Sequence, residues 1–219
     1  MTRARRELWT FAWVPPFALG NVKDLRVRWA LNEAGADYTV RTLPHNAARE
    51  DAYRALQPFG QVPAYRDGTV TLFETGAILL HLARVEPGLA AASPQDEASV
   101  AAWTLAALNS IEPRIDNVVM PRLFEPEASW LDDFDTLAQR LAGQRLDDLS
   151  TYLEGREWLT DTFSVADIVM ATVLRSIDDR PLLAERPVLT GYLGRCLARP
   201  TFQKALDAQL ATFAENEPA

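Results

Sequence analysis

Residues 58–78 read Pro58-Phe59-Gly60-Gln61-Val62-Pro63-Ala64-Tyr65-Arg66-Asp67-Gly68-Thr69-Val70-Thr71-Leu72-Phe73-Glu74-Thr75-Gly76-Ala77-Ile78. Asp67-Gly68 stands between two short β-prone runs, 62–66 and 69–73, which is a strong hairpin signal. Thr75 then precedes a helix to about Val85, with Ile78, Leu79 and Leu82 on its apolar face.

Upstream, residues 8–13 are short, apolar and rich in aromatics, as a buried strand is. Residues 14–20 form a loop marked by Pro15-Pro16. From Asn21 the pattern turns helical through Val22, Leu25, Trp29 and Leu31. Asn21 with Asp24 reads as an N-terminal capping box and Gly35 as the C-terminal stop. Residues 38–43 alternate as a second strand, so strand, helix and strand suggest a parallel βαβ unit. A weaker helix covers 47–57 and ends before Pro58. The order βαβ, helix, ββ, helix is that of a thioredoxin-like α/β domain.

Glu86-Pro87-Gly88 closes this domain, which spans 1–85, and 86–94 reads as a linker. Residues 95–219 read as all helical. Ser93-Pro94 with Asp96 and Glu97 starts one helix, which Pro113 should kink or end. Another spans about 130–154 and stops at Gly155. Phe163-Ser164-Val165-Ala166-Asp167-Ile168 starts a third, Ser164 and Asp167 forming its capping box with Phe163 and Ile168 as the apolar staple. The last two begin near Pro187 and Thr201.

With 219 residues the chain can bury about 70% of its unfolded surface and needs no disulfide or metal to fold. The net charge of −8 argues against nucleic acid or an anionic membrane as a partner. A lone cysteine, Cys196, excludes an intrachain disulfide and fits a reducing compartment. His45 and His81 are too few for a His-based metal site. No apolar run approaches ~18 residues, and no secretory signal is evident, so a cytoplasmic location is the expectation. His81 and Cys196 both fall within helices and read as structural.

Four stretches together resemble the glutathione transferase family: 58–63, 72–82, 163–168 and 192–202, the last being Tyr192-Leu193-Gly194-Arg195-Cys196-Leu197-Ala198-Arg199-Pro200-Thr201-Phe202. Their order and spacing cover most of the chain. The resemblance implies a cis peptide before Pro63, with the Val62 backbone pairing to the cysteinyl part of glutathione. It implies that Thr75 and the helix N-terminus take the γ-glutamyl carboxylate, and that Glu74 meets the ammonium. Gln61 falls where the family reaches the peptide with a side-chain amide. On the residues alone, Pro63 could merely start an edge strand, Thr75 merely cap, and Glu74 and Gln61 merely face solvent. The resemblance further implies glutathione as cosubstrate with no other cofactor, a small electrophile as second substrate, a detoxifying role and a two-fold homodimer.

One departure matters. The family activates the thiol with Tyr, Ser or Cys near the end of the first strand, and none of these occurs before Tyr38. Counting back as in the Tyr-type enzymes lands on Phe17. Matching a Ser-Pro-Phe segment lands on Pro15-Pro16-Phe17, and counting as in the Ser-type enzymes lands on Asn21. Asn21 is the candidate donor, backed by the first helix's N-terminus and Lys23, though it could equally serve only as a cap. Thr10 is the other nearby hydroxyl. Conjugation of glutathione to electrophiles is the leading reading; a binding or interaction protein on the same fold, with little or no catalysis, is the alternative. A thiol oxidoreductase would need a cysteine at the first helix, and an isomerase of the maleylacetoacetate type its Ser-Ser-Cys signature; both are absent.

Overall fold

The computed structural model describes residues 6–218. In chain order its strands are β1 (Arg6–Phe11), β2 (Thr39–Leu43), β3 (Ala64–Asp67) and β4 (Val70–Phe73). Its helices are α1 (Asp24–Glu33), α2 (Asp51–Arg54), α3 (Thr75–Val85), α4 (Pro94–Ala106), α5 (Glu112–Phe124), α6 (Leu131–Leu153), α7 (Val165–Arg175), α8 (Pro181–Ala184), α9 (Pro187–Leu197) and α10 (Pro200–Ala214). The chain forms two compact units. One runs to Ala90 and takes in Arg199 onward; the other is Ala91–Ala198.

The first unit holds the sheet, in the order β2-β1-β3-β4. β1 runs parallel to β2 and antiparallel to β3, and β3 and β4 form the hairpin. Asp67 pairs with Val70, so Gly68 and Thr69 make the turn, and Gly68 supplies its positive φ of 59°. This is the thioredoxin-like arrangement the residue pattern implies. Along β1, Arg6, Leu8 and Thr10 are buried while Glu7, Trp9 and Phe11 are partly covered, as the two-residue period of a strand requires. The strand lies two residues earlier than its apolar run suggests.

The expected helix over 47–57 is broken. A 3₁₀ turn, His45–Arg49, gives way to extended Glu50 and the single turn α2. The core explains this. Leu43, Ala48, Tyr53 and Ala64 cluster together, yet in a continuous helix positions 48 and 53 would point about 140° apart. The extended residue between them lets both face the sheet.

α1 packs against β1, α3 and α10 within this unit, so every residue from Asp24 to Leu31 is buried. The last helix, which the sequence groups with the helical region, therefore completes the sheet-bearing unit. Its attachment is polar. Arg199 donates to both carboxylate oxygens of Glu33, at 2.6 and 2.8 Å. Trp29 Nε1 adds a bond at 2.9 Å, and the Thr201 hydroxyl a further one.

The second unit is helical throughout. Ser93 caps α4 by accepting from Asp96 N at 3.1 Å. Pro113 has no N–H to return to Asn109, and a π turn, Ala107–Ile111, leads into α5 with Pro113 in its first turn. Ser110 and Ile111 of that turn border a cavity of about 310 Å³ with Trp103, Arg145 and Leu149. Gly155, at φ 72°, follows α6. The capping box of α7 is present: Asp167 Oδ2 accepts from Ser164 N at 2.9 Å, and Ser164 Oγ from Ala166 N at 3.3 Å. Asp167 Oδ1 also accepts from Leu159 N and the Tyr192 hydroxyl, at 3.0 and 2.8 Å. Burial raises the Asp167 carboxyl, with these bonds opposing the rise. Cys196 is buried in α9. Among the described residues no helix is long and apolar enough to cross a membrane.

Burial works to raise the Glu33 carboxyl, but the bonds from Arg199, Thr201 and Trp29 outweigh it and hold it below its usual value. A lowered folded value gives stability that is complete above the unfolded value, about 4.3 for Glu, and is lost as pH falls through the folded value. Glu33→Gln should cost about 1–3 kcal/mol at neutral pH and flatten the acid limb of the stability curve. Urea unfolding between about pH 3 and 7 measures both.

Candidate functional site

At the junction of β4 and α3, Glu74 is exposed and takes φ 66°, ψ 121°. A non-glycine residue held there costs on the order of 1–3 kcal/mol and needs its surroundings to hold it. Its carbonyl accepts from Ile78 N at 3.0 Å and so opens α3. Glu74, not Thr75, occupies the cap position, and its side chain makes no cap bond. The first N–H groups of α3 thus lack intrahelical partners and carry the positive end of the helix dipole. Thr75 is the first helical residue and is buried. Its Oγ1 lies 3.4 Å from Arg26 Nη1, a buried guanidinium on α1. A cation thus backs the start of α3.

The loop before β3 is shaped from below. Gln57 is buried, and its Oε1 accepts from Phe59 N at 2.7 Å and Gln61 N at 3.2 Å. The Tyr53 hydroxyl donates to Gln61 O at 2.7 Å. Burial pushes the Tyr53 phenol far above its ordinary value, so it stays a donor across the physiological range. Gly60 takes φ 65°, and a Cβ there would stand 2.5 Å from the Ala48 carbonyl oxygen. The Val62–Pro63 peptide is cis. The β1–β3 ladder begins at Ala64, which leaves the Val62 backbone outside the sheet pairing. The Gln61 side chain is exposed and Pro63 is buried.

Asn21 is placed differently from expectation. α1 starts at Asp24 with Lys23 at the cap position and no side-chain cap. The stretch before it is a run of turns: Ala18 N bonds Pro15 O, Asn21 N bonds Ala18 O, and Leu25 N bonds Val22 O. The two prolines drive this, because Pro16 opens a 3₁₀ turn and delays the helix. Asn21 is exposed, and its Nδ2 points back to Leu19 O at a long 3.5 Å. Phe17 lies in the same run and is 53% exposed.

Thr10 is fully buried on the α1 side of β1, beside Asp24. The Asp24 carboxyl is raised by burial, with Arg28, Gln209 and Thr10 acting against the rise. Thr10 faces the protein interior rather than the surface that carries the other candidates. Reading the sequence missed Arg26, Tyr53 and Gln57. Arg26 carried a usable signal, since a charged residue within an otherwise apolar helix face requires a buried partner. Gln57 carried none.

A cis-proline loop and a helix N-terminus presented by a βαβ-α-ββ-α sheet, followed by a helical unit, define a protein of the thioredoxin-like fold. Residues 18–84 match the family model of the glutathione S-transferase N-terminal domain. The chain is 26% identical over 200 residues to a glutathione S-transferase of Hyoscyamus muticus, covering 84% of this chain and 92% of that one. To glutathione S-transferase 3 of Zea mays it is 29% identical over 202 residues, covering 84% and 88%. A Pseudomonas putida glutathione transferase, crystallised with one glutathione disulfide per subunit, superposes with a TM-score of 0.80 at 21% identity over 93% of this chain and 91% of that one. Along most of its length the chain is thus similar to glutathione transferases, and residues 18–84 match the N-terminal domain of that family.

Gly60→Ala should destabilise the protein by about 1–3 kcal/mol, because the new methyl meets a backbone oxygen and the positive φ is strained. The unfolding midpoint in urea reports this.

Proposed function

We propose that this protein binds glutathione along the Gln61–Val62–Pro63 loop and the start of α3, and transfers its thiolate to small electrophiles. The observation that carries the reading is the pairing of two features in one unit. One is a backbone edge at Val62 left outside the sheet; the other is a helix N-terminus at Thr75 backed by buried Arg26. The Val62 N–H and C=O pair with the cysteinyl residue. The α3 N–H groups and Thr75 Oγ1 take the γ-glutamyl carboxylate, Glu74 takes the ammonium, and the Gln61 amide reaches the peptide. The thiolate sulfur then attacks an electrophilic carbon, and the leaving group departs with its bonding pair.

A free thiol ionises near pKa 8.5, and lowering it by about two units requires roughly 2.7 kcal/mol. Asn21 and the turn that opens α1 supply this, acting as a helix N-terminus does on a reactive cysteine. The Asn21 N–H is occupied by Ala18 O, so its side-chain amide is the donor. That occupied N–H favours a second reading, a glutathione-binding protein with little catalysis. A two-fold homodimer, the first unit of one subunit against the second unit of the other, is part of the proposal. Phe59, 66% exposed, supports it as an apolar contact. Light scattering at micromolar concentration should return the mass of two chains, and a monomer would count against it.

Thr75→Ala should weaken glutathione binding about tenfold or more, since a hydrogen bond to a carboxylate contributes about 1.5–3 kcal/mol. Unchanged affinity by calorimetry with the fold intact would remove Thr75 from the site. Asn21→Ala takes away no helix cap, because Lys23 holds that position. It should raise the apparent pKa of bound glutathione, read from the ultraviolet thiolate band, and leave most affinity in place. Asn21→Asp puts an anion beside the sulfur and should slow turnover more than Ala does. Equal, wild-type turnover in both would take Asn21 out of the mechanism. Tight binding without turnover in the unaltered protein would select the second reading.

A further inference from the structure

We infer that Gln209, on α10, is a positioning residue for the thiol site. The inference rests on the placing of the glutathione sulfur at the Asn21 turn, and adds the device that holds that turn still. Gln209 is fully buried. Its Nε2 donates to Val22 O at 3.0 Å and also to Asp24 Oδ1. Its Oε1 meets no donor, so the amide is fixed by its two donated bonds alone. Val22 O also accepts from Leu25 N at 3.0 Å. Both acceptor directions of this carbonyl are therefore committed, one to the helix and one to α10.

Val22 is the residue after Asn21, so the bond from Gln209 anchors the turn directly beside the donor. Without the bond from Gln209, a buried carbonyl loses a partner and the turn gains freedom to rotate toward water. Side-chain groups must stay within about 0.5 Å of productive geometry for their electrostatic effect to survive, so a loosened turn weakens the donor at Asn21. The neighbouring contacts of α10 differ in kind. Arg28 Nη1 donates to Ala208 O and Nη2 to Thr212 Oγ1, both at 3.2 Å, and these tie α10 to the middle of α1 without touching the 21–23 turn. Gln209 therefore positions, while Thr212 only fastens.

The pair Gln209→Met and Thr212→Val separates these roles. Methionine keeps the length and loses both donors; valine removes one acceptor from Arg28. The readouts are the thiolate band of bound glutathione against pH, glutathione affinity by calorimetry, and kcat with KM for glutathione. Gln209→Met should raise the apparent thiolate pKa by about one unit and lower kcat about tenfold at neutral pH. Its KM for glutathione should stay within about twofold, because the γ-glutamyl pocket is untouched. Thr212→Val should keep the wild-type thiolate pKa. Should methionine prevent folding, Gln209→Asn, too short to reach both acceptors, should show the same pKa rise. A wild-type thiolate pKa in the folded Gln209 variant, or an equal rise in Thr212→Val, overturns the inference. If the unaltered protein shows no depressed thiolate pKa, the placing of the sulfur fails and takes this inference with it; that result is distinct, because it appears before any substitution.

Discussion

Burying the Asp24 carboxyl is costly unless donors meet its oxygens, and in the first unit they come from two elements, α1 and α10. Arg28 donates at 2.7 Å from one turn along α1, Gln209 reaches in from α10, and Thr10 lies beside it on β1. Burial still raises the carboxyl, so the donors offset the cost rather than erase it. The consequence is geometric. A charge in this position can be satisfied only if α1 and the C-terminal helix are in register, which couples the end of the chain to its first helix. Replacing the group by an apolar residue could give equal stability and would leave that register less defined.

The same helix carries the site's other buried cation. Arg26 and Arg28 lie two residues apart on α1 and so point to different sides of it, Arg28 toward α10 and Arg26 toward Thr75 at the start of α3. α1 thus transmits one set of constraints in two directions. Its N-terminal turn is set from α10, and its flank supports the start of α3. The loop at 57–63 is set independently, by Gln57 and Tyr53 from beneath. Glutathione is a tripeptide with separated charged ends, so it needs a rigid edge at its middle and anchoring at its ends, and the proposed site draws both from these two supports.

Patterns that are local in sequence were legible; those set by distant partners were not. Asp67-Gly68 showed the hairpin, Ser164 with Asp167 the cap of α7, and the Glu74-Thr75 junction the start of α3, because each signal and its effect lie within a few residues. Asn21 failed as a cap because Pro15-Pro16 imposes turns that postpone α1 to Asp24. The break at Glu50 was hidden because only the shared core of Ala48 and Tyr53 demands it. Gln57 and Gln209 looked like ordinary polar helix residues. Their roles arise from carbonyls and N–H groups brought to them by folding, over as many as 187 residues in the bond from Gln209 to Val22.

For an acidic chain, the proposed binding of an anionic tripeptide raises a question of sign. The net charge is −8, while glutathione carries two carboxylates, one ammonium and, when reactive, a thiolate. Screening resolves most of it: beyond about 8 Å in physiological salt, exposed acids contribute little. Contact groups then decide, and they are of the opposite sign. At the proposed carboxylate end these are the α3 N–H groups, equivalent to about half a positive charge, with Arg26 behind them. Near the proposed sulfur position the acid to account for is Asp24 in the first turn of α1. Its field is blunted twice, because burial disfavours its ionised form and because Arg28 neutralises whatever ionises. The network that orders the fold would thereby keep a buried acid from opposing the proposed thiolate.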